Sequence, residues 1–219
     1  LSENNVSGTL EQFDVGDIAY DKLDSDSATV ASRGCKTAEA KFLFGITKQL
    51  ASLRRHVVKS DWKLVESVSS TIQTKLGKTE ESLCKLLPKS VKIEIDLCKT
   101  KAVDNIVIAS LENALSEGKS TGSPLKLDLV NIKTLGLEAE ISLSESTGCK
   151  TLKSKRLLAI SKSILALRLA TKDAIWVQVG QCLNEQTLSE LSDADLCHEE
   201  VTTVRNAFEE HQIIQHLNK

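Results

Sequence analysis

Apolar positions along the chain recur mostly at three- and four-residue intervals. Leu43, Ile46, Leu50, Leu53 and Val57 form one such stripe, and Leu157, Ile160, Ile164, Leu167 and Thr171 repeat its spacing. These steps keep side chains on one face of an α-helix, so each stripe predicts an amphipathic helix with that face buried. Gly34 and Gly148 suit the left-handed position just past a preceding helix, and Thr37 and Thr151 can cap the next one with their hydroxyls. The shared Gly-Cys-Lys-Thr is thus read as a helix-to-helix corner. Asp61 and Asp173 are natural N-caps for helices that carry Trp62, Val65 and Ile72 or Trp176, Val179 and Leu183.

Elsewhere the pattern is mixed. Val91, Ile93, Ile95 and Leu97 alternate as a strand would, but Val91, Ile95, Cys98, Ala102, Ile106 and Ala109 also make a helical stripe, and a helix through Leu115 is the better reading. Its counterpart starts near Asp193, with Ser192 as cap, and carries Val201, Val204, Phe208, Ile214 and Leu217. Ser123-Pro124 reads as an N-cap followed by a first-turn proline, opening a helix through Leu129, Ile132, Leu135 and Ala139 that Gly136 weakens.

The two stripes belong to a larger duplication. At an offset of 114 residues, Gly34-Cys35-Lys36-Thr37 falls on Gly148-Cys149-Lys150-Thr151, and identities extend both ways. Leu1-Ser2-Glu3 meets Leu115-Ser116-Glu117, Leu23 meets Leu137, Lys41 meets Lys155, Arg54 meets Arg168, Trp62 meets Trp176 and Val65 meets Val179. Beyond Val68 the second copy runs about ten residues short; Asp96-Leu97-Cys98 then finds Asp195-Leu196-Cys197, and Ile106 to Asn113 resembles Gln212 to Lys219. The expected domains are a helical repeat unit at 1–114 and a second at 115–219, truncated in its last helix. Ala51-Ser52-Leu53 and Ala109-Ser110-Leu111 echo each other within the first unit, as if each unit were two helix pairs.

This arrangement resembles the α-helical repeat superhelices, of which armadillo, HEAT and tetratricopeptide arrays are examples. The resemblance is architectural, covers the whole chain and carries no family motif. It implies an all-α fold, tandem helical hairpins in a solenoid-like array, and the work such arrays generally do, which is to offer extended surfaces to protein partners.

Composition narrows the class. Among 219 residues, 2 prolines, 10 glycines and 3% aromatics leave little for the turns and paired strands of a sandwich or barrel. A net charge of −2 gives no basic footprint for a phosphate backbone, so no nucleic-acid partner is expected. No apolar run is long enough to span a membrane, and the first residues do not form a signal peptide. Methionine is absent even from position 1, hence the expectation that the chain is a piece of a longer protein. The cysteines, Cys35, Cys84, Cys98, Cys149, Cys182 and Cys197, include no C-x-x-C pair, which favours reduced core thiols and the cytoplasm over the single sequon Asn5-Val6-Ser7.

Candidate chemistry is sparse. Gly77-Lys78-Thr79 and Gly118-Lys119-Ser120 look like P-loop ends, but both follow helices and lack the first glycine. Cys197-His198-Glu199-Glu200 is the densest ligand cluster; neighbouring helical side chains point roughly 100° apart, so a core thiol beside solvated charges is favoured over zinc. The S-x-x-K matches at Ser82–Lys85 and Ser116–Lys119, and His56, His198, His211 and His216, have no companions. Trp62 and Trp176 are expected in inter-helix packing, while Lys41, Lys48 and Arg54 are expected on a solvated flank. No catalytic, cofactor-binding or metal residue is therefore assigned, and no binding residue is singled out. The expected function is a non-catalytic interaction or structural scaffold, cytoskeletal roles included. The alternative is a compact duplicated helical domain with a small-ligand pocket or enzymatic activity.

Overall fold

The structure is a computed structural model and describes residues 9–10, 20–119, 122–123, 126–127, 132–192 and 195–218. The described chain is helical throughout but for one two-residue antiparallel ladder. It divides into two compact units, Leu1–Ile106 and Val107–Lys219.

The first unit holds α1 (Tyr20–Arg33), α2 (Ala38–Val58), α3 (Trp62–Gly77), the single turn α4 (Glu81–Cys84) and the first part of α5 (Lys89–Ser116). Its core is drawn from every one of these elements except α4: Leu23; Phe42, Ile46, Leu50, Leu53 and Val57; Val65 and Ile72; Val91, Ile95, Cys98 and Ala102. The predicted stripe of α2 is thus buried from Ile46 to Val57, with Leu43 half-buried.

The second unit takes the end of α5, then β1 (Gly122–Ser123), β2 (Lys126–Leu127), α6 (Leu135–Thr147), α7 (Leu152–Lys172), α8 (Trp176–Leu183), the single turn α9 (Gln186–Ser189) and α10 (His198–Leu217). Val107, Leu111 and Leu115 of α5 pack with Leu137 and Ile141, with Ile160, Ile164 and Leu167, and with Val179, Val201 and Val204.

The duplication in sequence is a duplication in backbone. α7 begins and ends 114 residues after α2. Thr37 and Thr151 have the same N-cap conformation, φ −87 with ψ 161 or 162, and accept from Ala40 N–H at 3.1 Å and Ser154 N–H at 3.2 Å. Gly34 and Gly148 end the preceding helices at φ +74 and +82, each donating its N–H to the carbonyl four residues back, Val30 or Ser144. Past the long helices, Ser60 and Ala174 turn the chain at the same positive φ of 54.

Other readings fail for local reasons. Asp61 does cap α3, accepting from Leu64 N–H, but Asp173 lies two residues before the corresponding place, at the C-cap of α7; Ile175 takes the N-cap place of α8 and offers no side-chain acceptor. Ser123 is in β1, so the helix expected there begins only at Leu135; Leu129 lies outside the described residues. A strand pairing at Lys126–Leu127 uses the backbone groups that helix would have needed. Ser192 does not open α10: its N–H and hydroxyl donate to Asp195 Oδ2 at 2.8 and 2.9 Å in a turn, and the helix starts at His198.

In α5 the helical reading holds over the alternating one. Val91 and Ile95 are buried while Ile93, which a strand would bury with them, is exposed. Beyond Ala102 the buried face moves to Val107, Ile108, Leu111 and Leu115, and Ala109 is exposed, contrary to the stripe drawn through Ile106 and Ala109.

Candidate functional site

The buried charges came as the principal correction. Arg54 and its repeat partner Arg168 do not ride a solvated flank; both are fully buried. Arg54 Nε and Nη2 donate to Glu94 Oε1 and Oε2 of α5 at 2.7 and 2.9 Å. Arg168 Nε and Nη2 donate to Glu200 Oε1 and Oε2 of α10, both at 2.9 Å. The planar guanidinium and the carboxylate meet as two parallel bonds, the geometry that best offsets the cost of taking both charges out of water.

Arg168 goes further. Its Nη2 also donates to Leu115 O at 2.7 Å, and its Nη1 to Glu117 O at 2.9 Å and Lys133 O at 3.4 Å. All five N–H groups of the side chain are therefore engaged. Two of the acceptors close the end of α5, whose last carbonyls have no partner within the helix. Close to this point Gly118, at φ +60, lets the chain turn so tightly that a Cβ there would collide with Lys133 Cβ.

The second glutamate corrects two sequence readings at once. Glu200 is buried, so Cys197-His198-Glu199-Glu200 is not one thiol beside solvated charges. And because Glu94 and Glu200 take the same role, α10 matches α5 at an offset of 106; the Asp-Leu-Cys match at 99 is a chance alignment two turns out of phase. Val91, Glu94, Ile95 and Cys98 correspond to Cys197, Glu200, Val201 and Val204, all buried. The missing residues lie in α8, which has 8 residues where α3 has 16.

Burial, not reactivity, governs the thiols. No disulfide joins any of the six cysteines. Burial pushes the Cys98 thiol up to about 12, Glu94 adding to the effect and Arg54 opposing it. Burial likewise raises Cys197 to about 11, with Glu200 adding and Arg168 opposing, and raises Cys182 with help from Glu185. Such thiols are poor ligands and poor nucleophiles. Among the described residues no group of three His, Cys, Asp or Glu side chains gathers as a metal site would.

The remaining motif fragments fall at helix ends or in local bonds. Gly77 is the last residue of α3 and Gly118 follows α5, so both fragments present carbonyl ends, the wrong polarity for phosphate; Ser120 lies outside the described residues. Ser116 Oγ donates to Glu112 O, and Lys85 pairs with Glu81. Trp62 and Trp176 are half-buried against the two cores, less enclosed than expected, and Trp176 stacks on His211 with ring centroids 4.6 Å apart. Lys41 and Lys48 are exposed, and Lys48 lies over the Phe44 ring.

An open groove of about 850 Å³ lies in the second unit, between the end of α5, the start of α7 and the turn before α10. Leu152, Leu157, Ile160 and Leu196 supply its apolar surface. Its charged rim is paired off: Lys153 with Glu112 at 3.2 Å and Arg156 with Asp195 at 3.1 Å. Leu152 and Leu196 are nonetheless exposed. No signal marked this groove in the sequence, because its walls come from three segments that only the fold assembles.

No protein-family model, no curated protein and no solved structure matches the chain. No described helix is long and apolar enough to cross a membrane.

Proposed function

We propose that the chain is a non-catalytic helical-repeat scaffold, its units members of a solenoid-like array that offers apolar surface to other proteins. The observation that carries this reading is the duplicated clamp. In both units a fully buried, bidentate arginine–glutamate pair fastens one long helix to another, a structural use of charge that recurs with the repeat. The groove beside α7 supports the same reading: its charges neutralise one another in pairs and its exposed part is leucine. A cytoplasmic location belongs to the proposal and is supported by the buried thiols of Cys98, Cys182 and Cys197.

The test is lysine cross-linking in an extract of the source cells, native chain against a Leu152→Glu/Leu196→Glu variant. Both side chains are exposed, so the variant is expected to keep its melting temperature and lose cross-links at Lys153 and Lys155. Unchanged cross-links there would remove the groove from the reading. The size of the groove favours one competing reading, a small-ligand site; a metabolite that raises the melting temperature of the native chain but not of the variant would establish it.

A further inference from the structure

We propose that the groove beside α7 takes an aromatic side chain of a partner protein flanked by acidic residues, the ring seating at Arg156 and the acids on the basic rim. The inference rests on the scaffold reading and deepens it by naming the chemistry of the partner.

The duplication shows what belongs in the groove. α2 and α7 match residue for residue at the offset of 114, so the floor residues Leu157 and Ile160 correspond to Leu43 and Ile46, and Arg156 corresponds to Phe42. Phe42 is 7% exposed and belongs to the core of the first unit, together with Ile46 and with Leu43 packed against it. That core holds no residue beyond Ala102, so the ring is covered by its own unit. In the second unit the side chain at the same position is 62% exposed and turned to Asp195, and the space over Leu157 and Ile160 stays open as part of the groove. The repeat builds the same apolar floor twice and lays an aromatic ring on it once.

Arg156 gives way at little cost. Its pair with Asp195 is exposed, and such pairs contribute little. Asp195 Oδ2 also keeps the N–H and hydroxyl of Ser192, at 2.8 and 2.9 Å, when the guanidinium swings aside.

The rim selects the flanking charge. α7 has no acidic residue in its first turn, and Lys153 stands where α2 has Glu39. Lys153 is 68% exposed, and Lys119 reaches the other edge, where its Nζ donates to Leu196 O at 3.3 Å. Against these two cations and Arg156, the acids lining the groove are Glu112 and Asp195, the second already served by Ser192. Carboxylates beside an incoming ring therefore meet an excess of positive charge. A large apolar anchor ringed by complementary charge is the arrangement in which a few residues carry most of an interface's affinity.

The test is a random dodecapeptide library on phage, panned on the immobilised native chain. The selected peptides are expected to share an aromatic residue flanked by Asp or Glu. By fluorescence anisotropy, replacing that aromatic residue with Ala should weaken binding at least about tenfold, and added salt should weaken it further. Arg156→Phe restores the arrangement of the first unit, and is expected to raise the melting temperature and abolish binding of the selected peptides. Should Arg156→Phe fail to fold, Arg156→Glu, a change at an exposed side chain, still decides: it reverses the rim charge and should lose the same peptides. The seat is overturned if no peptides are enriched, if the enriched ones are basic or lack an aromatic residue, or if they bind the Arg156 variants as well as the native chain. A panning that yields no aromatic–acidic peptides, beside cross-links at Lys153 that Leu152→Glu/Leu196→Glu removes, overturns the aromatic seat and leaves the scaffold reading standing.

Discussion

Arg168 holds two kinds of partner at once, a buried carboxylate and the carbonyl end of a helix. Arg168→Met strands Glu200 in the core and uncaps α5, and is expected to destabilise by about 3 to 5 kcal/mol in urea unfolding. Adding Glu200→Leu removes the stranded charge and should recover most of that loss but not all, because Leu115 O and Glu117 O still lack their donor. A double variant no better than the single one would mean that the carbonyl contacts outweigh the ion pair. The thiols give a prediction in pH. Cys98 and Cys197 sit higher in the folded protein than the ordinary thiol value of 9.0, so the folded state holds protons that the unfolded chain releases. Their contribution is fully present below pH 9 and is lost as pH rises through about 11 to 12. Unfolding monitored across that range should show stability falling, and Cys98→Ala should flatten the slope.

At the level of elements, the duplicated corners carry the fold. Ser60 and Ala174 both turn the chain at φ 54, a region where a side chain crowds the following carbonyl. Ala174→Gly relieves that crowding against some added freedom in the unfolded chain, and a net gain of up to about 1 kcal/mol is expected from a thermal melt. A loss instead would show that the alanine methyl packs usefully. The corner itself was legible: Gly34-Cys35-Lys36-Thr37 and Gly148-Cys149-Lys150-Thr151 spell a left-handed exit and a hydroxyl cap, and both do that work. Asp173 was misleading because the acid sits two residues early, in the C-cap of α7, where sequence alone cannot separate it from the start of α8.

At the level of the molecule, the core of the first unit runs from Leu23 to Ala102 without a residue from the second. A chain ending at Ser116 is accordingly expected to fold alone, helical by circular dichroism and melting cooperatively, with a lower melting temperature because Val107, Leu111 and Leu115 lose the core they enter. Loss of helix in that truncation would show instead that the two units fold as one.

The sequence by itself determined the helical class, the 114-residue duplication, the stripes of α2 and α7 and the caps at Thr37 and Thr151. Each of these is a local consequence of side-chain spacing or of backbone preference, so each is written in neighbouring residues. Tertiary structure decided the rest. Whether Arg54 and Arg168 face water or a buried glutamate depends on helices that arrive 40 or 32 residues later. A charged residue at the edge of an apolar stripe reads as solvated unless its partner is seen, since periodicity records which face a side chain occupies and not what is packed against it. The register of α10 against α5 was hidden for the same reason: the glutamate that defines it is ordinary in sequence and singular only in its contact.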